Sequence, residues 1–390
     1  MIRHTSRRRA ASLAWCLAAL CASRDADAQL AVSSNDNKVF NTGGVNTVVR
    51  NAPPDTVTVI DLGVSPPRVV GEVNAPGSWA SPPQSVAVSP DESIALVTSS
   101  TKIDPSDPAR TVPDDTVTVI DLKTSPPRVL ATLHAGKGPS GVSINPAGTL
   151  ALVANRNEGT VSVFTIDGRT VTPAGKVGLC DPNCTPSLPV FTPDGTRAFV
   201  TRNGDHLLSE LAIDQARVVY TKRDVSVNLR PYGIQIAPKG DLAFVANIGN
   251  GPTGGTDTLT VVDLAANPPR AIDSLSVGLI PEGIALSPDG GYLAVMVMNG
   301  SNLATTSPFF HDYGILKILR VTGPKLTPVT EARIGHWCEG VAWSRNQRTV
   351  VVQCMNEKAI QVFGFDGRGL TPQTPIRVSG GPAGIRTAER

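Results

Sequence analysis

The 390-residue chain combines 36 Gly and 33 Pro with only 17% charged and 4% aromatic residues. Because Gly and Pro both interrupt helices, this composition excludes long helices and favours many short elements joined by turns. An apolar share of 41% with a formal net charge of +2 is too hydrophobic and too weakly charged for a disordered chain. The chain is therefore expected to be globular.

Residues 1–28 have the pattern of a secretory signal peptide. A basic start, an apolar stretch over residues 10–22 and small residues at 26–28 precede Gln29. Ser6-Arg7-Arg8 also resembles the start of a twin-arginine signal, so both export routes stay open. Without residues 1–28 the formal net charge is −1, which disfavours a nucleic-acid partner. We expect a periplasmic or secreted protein without a membrane span.

One phrase recurs along the chain, with the form Pro-x-Gly-Val-x-Ile-x-Pro-x-Gly-x-x-Ala-x-Val-x-Asn over residues 139–155. Its alternating apolar runs and tight turns predict strands. Successive copies are 56, 47, 45, 50, 57 and 44 residues apart, which suits a four-stranded propeller blade. The sequence therefore predicts an all-β, seven-bladed β-propeller. The first residues of the seven copies are Pro83, Pro139, Pro186, Pro231, Pro281, Cys338 and Pro382.

The two ends of the chain each supply part of one blade. Residues 382–385 match only the first strand of the phrase, while residues 30–61 match the remaining strands. We expect the C-terminal strand to complete the N-terminal blade and close the ring, so that one domain spans residues 29–390. A two-sheet sandwich or a β-helix fits less well, because sandwiches do not repeat one phrase seven times and β-helix repeats are shorter.

Three predicted strands end in the sequences Ala-Leu-Val-Ala-Asn155, Ala-Phe-Val-Ala-Asn247 and Ala-Leu-Val-Thr98. They resemble the Tyr-Val-Thr-Asn-type repeats of seven-bladed periplasmic propellers, the YncE-like proteins, and more distantly those of the propeller lactonases. The resemblance covers residues 29–390 and implies an exported propeller with a binding role. The single-stranded DNA binding suggested for the YncE-like group needs stacking aromatics and a basic groove. The few Trp residues and the near-neutral charge disfavour it.

Four cysteines lie beyond residue 28, and in an oxidising compartment an even number predicts disulfides. The repeat alignment places Cys338 and Cys354 opposite each other on a hairpin, within disulfide range. Cys180 and Cys184 are expected to close a small loop. Neither pair lies in a metal-binding or haem-attachment array, so no metal site is predicted, and the identity of any cofactor stays open.

Candidate functional residues lie in the loops that lead into the innermost strands, because these loops surround one mouth of the channel. Glu282 and Glu339 share one repeat position in neighbouring blades. They are expected to act as acid and base, to hold a cation, or to be solvated rim charges. Trp337 fits a packing role as well as a stacking one. The candidate binding set at this mouth is Gln84, Arg230, Tyr232, Glu282, His336, Trp337 and Glu339.

The chain has no Gly-x-Ser-x-Gly elbow, Walker phosphate loop or dinucleotide fingerprint. We therefore expect a monomeric binding or interaction protein that holds a small molecule, peptide or protein partner at the channel mouth. The alternative is a hydrolase resembling the propeller lactonases, so whether the chain is an enzyme stays open.

Overall fold

The computed structural model of the chain describes Met1, residues 29–251, Gly255 and residues 257–389. The expected signal peptide, apart from Met1, lies outside the described residues. Seven four-stranded antiparallel sheets are arranged as the blades of a propeller, which confirms the predicted fold. Among the described residues, no helix is long and apolar enough to cross a membrane.

In each blade the four strands follow one another from the channel outwards. Blade 1 contains β6 (Val86–Val88), β7 (Ile94–Asp104), β8 (Asp107–Asp121) and β9 (Arg128–His134). Blade 2 contains β10 (Pro139–Ile144), β11 (Leu150–Asn155), β12 (Thr160–Asp167) and β13 (Thr170–Gly178). Blade 3 contains β14 (Pro186–Phe191), β15 (Arg197–Arg202), β16 (Leu207–Asp214) and β17 (Arg217–Ser226), after a 3₁₀ turn at Pro182–Cys184.

Blade 4 contains β18 (Pro231–Ile236), β19 (Leu242–Asn247), β20 (Asp257–Asp263) and β21 (Arg270–Gly278). Blade 5 contains β22 (Pro281–Leu286), β23 (Tyr292–Val297), β24 (Gly314–Thr322) and β25 (Lys325–Ile334). Blade 6 contains β26 (Cys338–Trp343), β27 (Thr349–Cys354), β28 (Ala359–Phe365) and β29 (Leu370–Arg377). Blade 7 contains β30 (Gly381–Thr387), β1 (Leu30–Asp36), β4 (Thr56–Asp61) and β5 (Arg68–Asn74).

Blade 7 closes the ring as the sequence predicts. Its inner strand β30 pairs antiparallel with β1, with Ala31 opposite Thr387 and Ser33 opposite Ile385. Strand β1 then pairs with β4. The first and last parts of the described chain are therefore joined by a ladder of backbone hydrogen bonds, which leaves no unpaired sheet edge at the junction.

The hydrophobic core lies between neighbouring blades rather than within one sheet. Leu96 and Val117 of blade 1 belong to the same buried cluster as Val142 and Val153 of blade 2. The alternating β-branched and aliphatic residues of each strand therefore contact the next sheet. Each fully buried side chain of this type contributes about 1.5–3 kcal/mol.

A buried Asn at the end of the second strand explains why the recurring phrase ends in Asn. The Asn155 side-chain amide donates to the hydroxyls of Thr160, at 2.8 Å, and Ser162, at 2.9 Å, on the third strand. Its side-chain oxygen accepts from the backbone N–H of Gly136 at 3.0 Å. Asn247 repeats the bond to a third-strand hydroxyl, that of Thr260, at 2.9 Å. These Asn residues are structural.

Replacing Asn155 by Ala is expected to lower the free energy of unfolding by about 1–3 kcal/mol, because the buried Gly136 N–H and two hydroxyls lose a partner. Asn228 is the matched control, since its amide also donates to two hydroxyls but is exposed. Asn228→Ala should change stability by less than about 0.5 kcal/mol. Urea unfolding measures both variants, and equal losses would contradict the structural role of Asn155.

Two further repeated motifs are also structural. The Ser287 hydroxyl donates to Asp289 at 2.6 Å, within the Ser-Pro-Asp-Gly turn between β22 and β23. In the Pro-Pro-Arg hairpin of blade 1, Arg128 forms an ion pair with Asp121 at 3.2 Å. These contacts place the serine in a turn and the arginine at the blade periphery.

Candidate functional site in the central channel

The channel has two ends, which differ in what surrounds them. We call the end where the chain leads into the inner strands, at Pro139 and its counterparts, the upper end. The lower end lies at the turns between first and second strands, such as Pro193-Asp194-Gly195. The sequence predicts a binding site at the upper end.

The second residue of each aligned copy of the phrase contributes to one level of the channel, which we call the upper ring. In blades 2 to 6 the ladder between first and second strands shifts register just after the first residue, so corresponding residues occupy the same place in these blades. Except for the partly buried Glu282, every member is buried. The upper ring consists of Gln84, Ser140, Ser187, Tyr232, Glu282, Glu339 and Ala383.

Glu282 and Glu339 are brought together in the upper ring as hydrogen-bonding neighbours. Burial raises the pKa of Glu339 well above its usual 4.5, and the adjacent Glu282 carboxylate raises it further. Burial also raises the pKa of Glu282, opposed by the hydrogen bond with Glu339 and by Arg230 and Arg156. The pair therefore holds a proton more tightly than exposed carboxylates do, and neither member is a solvated rim charge.

Three upper-ring atoms are buried without a hydrogen-bond partner among the described residues: Gln84 Oε1, Ser140 Oγ and Glu282 Oε2. Gln84 reaches across the channel from blade 1, and its amide Nε2 donates to Ile284 O of blade 5 at 3.5 Å. Burial raises the pKa of Tyr232, whose hydroxyl accepts from Arg156 Nη1 at 3.5 Å. Unpartnered buried polar atoms are costly, so this level of the channel is suited to a polar guest.

Glu339 makes stability depend on pH. A carboxyl whose pKa is raised in the folded state contributes stability that is full below its unfolded value and lost as pH rises through the folded value. Stability should therefore fall as pH rises from about 4.5. Glu339→Gln should weaken this dependence, since Glu282 also has a raised pKa, and should raise stability at pH 8 by about 1–2 kcal/mol. Chemical unfolding at pH 5 and pH 8 measures both effects, and an unchanged pH slope would contradict the assignment.

The upper end is packed with hydrophobic side chains. Trp337 is only 4% exposed, and its ring meets that of Trp79 edge-on, with centroids 6.1 Å apart. The same cluster includes Val39, from an additional hairpin of β2 (Val39–Thr42) and β3 (Val45–Val48). Trp337 therefore packs the channel end. The hairpin was not predicted from the sequence.

This hairpin extends from blade 7 towards blade 5. The side-chain amide of Asn41 donates to Asn302 O, in the loop between β23 and β24, at 3.2 Å. Gly44 lies against the same loop, where a Cβ atom would come within 2.1 Å of Ala304 N. The hairpin and the loop together cover part of the upper end, which explains why the predicted mouth residues are mostly buried.

His336 lies near the upper end but is held by two carboxylates. Its Nδ1 is 2.7 Å from Glu357 Oε1, and its Nε2 is 2.8 Å from Asp312 Oδ1. Burial lowers the pKa of His336, but the hydrogen bonds to Glu357 and Asp312 outweigh this effect and raise it. With both ring nitrogens occupied, His336 bridges blade 6 to the loop of blade 5 and is not placed as a free base.

Arg230 and Trp337 share an unusual backbone conformation. Both adopt a positive φ, 58° and 46°, at the residue just before the inner strand, as Gly138 does at 68°. Only glycine adopts this region without strain. Of these three positions, Gly138 is therefore the one at which the residue type indicates a turn. The Arg230 guanidinium lies near Glu282 and opposes the rise in its pKa.

A cavity of about 210 Å³ opens at the lower end and reaches inwards to Gln84. Its wall includes Val190, Gln235, Ala285, Ala342 and Arg386. They belong to a second level of inner-strand residues, three positions beyond the upper ring, which we call the lower ring. Small side chains at this level leave the space open. The lower ring consists of Ala87, Ser143, Val190, Gln235, Ala285, Ala342 and Arg386.

Arg386 is the charged member of the lower ring and was not among the sequence candidates. Its guanidinium donates to Val142 O at 3.2 Å and contacts the Glu389 carboxylate. Burial lowers the pKa of Arg386 to about 9, so it remains charged at neutral pH. The repeat alignment carried a signal for it, because the other copies have an uncharged residue at this position.

Both predicted disulfide pairs are present. Cys338 and Cys354 face each other across β26 and β27 and are joined, and Cys180 is joined to Cys184. Cys354 takes the strand position that Asn155 occupies in blade 2. Within the described ranges, no three His, Cys, Asp or Glu side chains are grouped to hold a metal ion.

No protein-family model matches the sequence, and no curated protein matches it. Membership of the YncE-like family is therefore not confirmed.

Solved structures resemble the chain over nearly its whole length. A periplasmic gluconolactonase from Pseudomonas aeruginosa has a TM-score of 0.67 and 16% identity, covering 93% of this chain and 99% of that one. A candidate 6-phosphogluconolactonase from Bacteroides uniformis has a TM-score of 0.70 and 18% identity, covering 93% and 100%. Hydrazine synthase from Kuenenia stuttgartiensis has a TM-score of 0.61 and 16% identity, and the match covers 80% of this chain and 91% of that one. Similarity at these identities shows the fold alone.

Proposed function

We propose that the chain is an exported binding protein of the YncE-like type that holds a small molecule in its central channel. The observation that carries this proposal is an open cavity that reaches Gln84 of the upper ring, the level that also holds the buried carboxyl pair and the unpartnered polar atoms. Such a concave site, with a few convergent polar groups and perturbed pKa values, is typical of ligand pockets.

The proposed route differs from the one expected from the sequence. The upper end is covered by the packed Trp337 cluster, whereas the cavity is open at the lower end. A ligand therefore enters past the turn prolines and reaches the upper ring from below. The protein acts as a monomer in the periplasm or outside the cell, and its two disulfides suit that oxidising environment.

A cavity-filling variant tests this proposal. Ala285 lines the cavity, so Ala285→Leu should weaken ligand binding at least about 10-fold. The matched control is Ala109→Leu at an exposed position, which should bind as the original chain does. Calorimetric titration with D-glucono-1,5-lactone, gluconate and benzoate measures binding. The proposal is overturned if none of these compounds binds, or if Ala285→Leu binds as tightly as Ala109→Leu.

A second candidate function is lactone hydrolysis, favoured by the Glu282–Glu339 pair and by neighbours that are named gluconolactonases. The protonated carboxyl would protonate the leaving oxygen, while its ionised neighbour would accept a proton from the attacking water. Glu282→Gln and Glu339→Gln should each slow hydrolysis of D-glucono-1,5-lactone about 100-fold or more in a pH-stat assay. Rates equal to those in buffer alone would exclude this activity and leave the binding role.

A further inference from the structure

We infer that the lower-end cavity is an anion site, in which Arg386 binds a small carboxylate that carries a flat apolar body. This inference rests on the proposed function, because it names the class of ligand that the channel takes.

The charges around the cavity favour an anion. The ionisable residues that line it are Arg345, Arg386 and Glu389. Arg345 donates to Glu92, which is not part of the lining, at 2.9 Å. Because Glu92 already neutralises Arg345, the attraction of the wall for an anion depends on Arg386, whose partner Glu389 is partly exposed.

Arg386 is positioned to bind a carboxylate within the lower ring. It projects from the closing strand β30 and donates to Val142 O at 3.2 Å, which fixes its side chain across the channel. A guanidinium has five N–H donors in a planar fork that matches a carboxylate. Gln235, another lower-ring residue that lines the cavity, carries a side-chain amide with two further N–H donors.

Part of the wall is apolar and fits a flat body, while Gln29, Gln84, Gln235, Ser287 and Thr387 add uncharged polar groups. The cavity volume of about 210 Å³ corresponds to about seven water molecules at ~30 Å³ each. An apolar cavity of ~150 Å³ is enough for one benzene ring, so a ring with one carboxylate suits this space. The apolar lining includes Ile144, Phe191, Ile236, Leu286 and Trp343.

Glu389 occupies the position that the ligand carboxylate would take. It contacts the Arg386 guanidinium, and its side chain is 40% exposed while that of Arg386 is 6% exposed. A partly exposed carboxylate loses little when it returns to water. Binding is therefore an exchange of one ion-pair partner for another, and Glu389 weakens the site by competing for it.

Calorimetric titration with benzoate and its neutral analogue benzamide tests the inference. Benzoate should bind at least about 10-fold more tightly, as expected for a charge-assisted hydrogen bond. Glu389→Gln should tighten benzoate binding several-fold and leave benzamide binding unchanged. Arg386→Gln should abolish the preference for benzoate.

Because Glu389 is partly exposed, Glu389→Gln keeps the test decisive even if Arg386→Gln does not fold. Equal binding of benzoate and benzamide would overturn the carboxylate assignment but leave the channel-binding role intact. Benzoate binding that weakens in Glu389→Gln would also overturn it. Failure of both probes would overturn this inference, whereas binding of the lactone or gluconate would still support the proposed function.

Discussion

Trp337→Ala is expected to lower the free energy of unfolding by about 3–5 kcal/mol, because it removes a large buried side chain and leaves a cavity. The Trp337 ring is 4% exposed and meets Trp79 edge-on, in the cluster that covers the upper end of the channel. Guanidinium unfolding measures the change. Ligand binding per folded molecule should persist, since the ligand enters at the other end and Trp337 does not line the cavity.

Trp337→Phe is the control for this prediction. Phe keeps most of the packing but lacks the indole N–H. In the original chain the hydrogen bond from this N–H lowers the pKa of Glu339. Trp337→Phe should lose only about 1–2 kcal/mol. If Trp337 were instead a stacking platform for a ligand, Trp337→Ala would abolish binding at a stability cost below about 1 kcal/mol, which would contradict the packing role.

Removing the Cys338–Cys354 disulfide as a double Ala variant is expected to lower stability by about 3 kcal/mol. The bond joins residues 16 apart, and closing a loop of about 15 residues removes that much denatured-state entropy in the chain-entropy model. Both cysteines are fully buried on the two innermost strands of blade 6. Denaturant unfolding of the oxidised proteins measures the difference.

The second disulfide supplies the comparison for this prediction. Cys180 and Cys184 are only 4 residues apart, so their double Ala variant should lose about 2 kcal/mol in the same model. A larger loss from the Cys180 pair than from the Cys338 pair would contradict the account. Peptide mapping without reduction checks that each variant retains the other bond.

The repeat register predicted the architecture because its residues act locally. Turn signals such as Pro193-Asp194-Gly195 mark the boundary between first and second strands, and copies of the phrase recur around the ring. Ring closure by β30 followed from counting strands at the two chain ends, and the ladder from Ala31 to Thr387 confirms it. The same register also placed Cys338 opposite Cys354 on the two strands of one hairpin.

The alignment placed Glu282 and Glu339 at one level but did not predict their environment. Their burial depends on neighbours far away in sequence, and the hairpin that carries Val39 packs over the upper end through contacts with blade 5. Such long-range packing leaves no periodic signal. The sequence therefore placed the two carboxyl groups at the same level of the channel, but it did not predict that this end of the channel is covered.

The lower-end cavity was missed although the sequence contained a signal. At the repeat position of Ser143, three copies carry Ala, at Ala87, Ala285 and Ala342, and another carries Arg386. Small residues at a shared level open a space, and a charged residue among them indicates a site. This pattern indicates a site only when the residues at this repeat position are known to face the channel, which the structure shows and the sequence does not.

The most direct test of the central claim is a crystal structure of the protein soaked in 4-iodobenzoate, with the iodine located by its anomalous signal. The account predicts iodine inside the lower-end cavity and a carboxylate within hydrogen-bonding distance of Arg386. Iodine at the upper end near Trp337, or only on the outer surface of the blades, would contradict the claim that the channel binds its ligand from below.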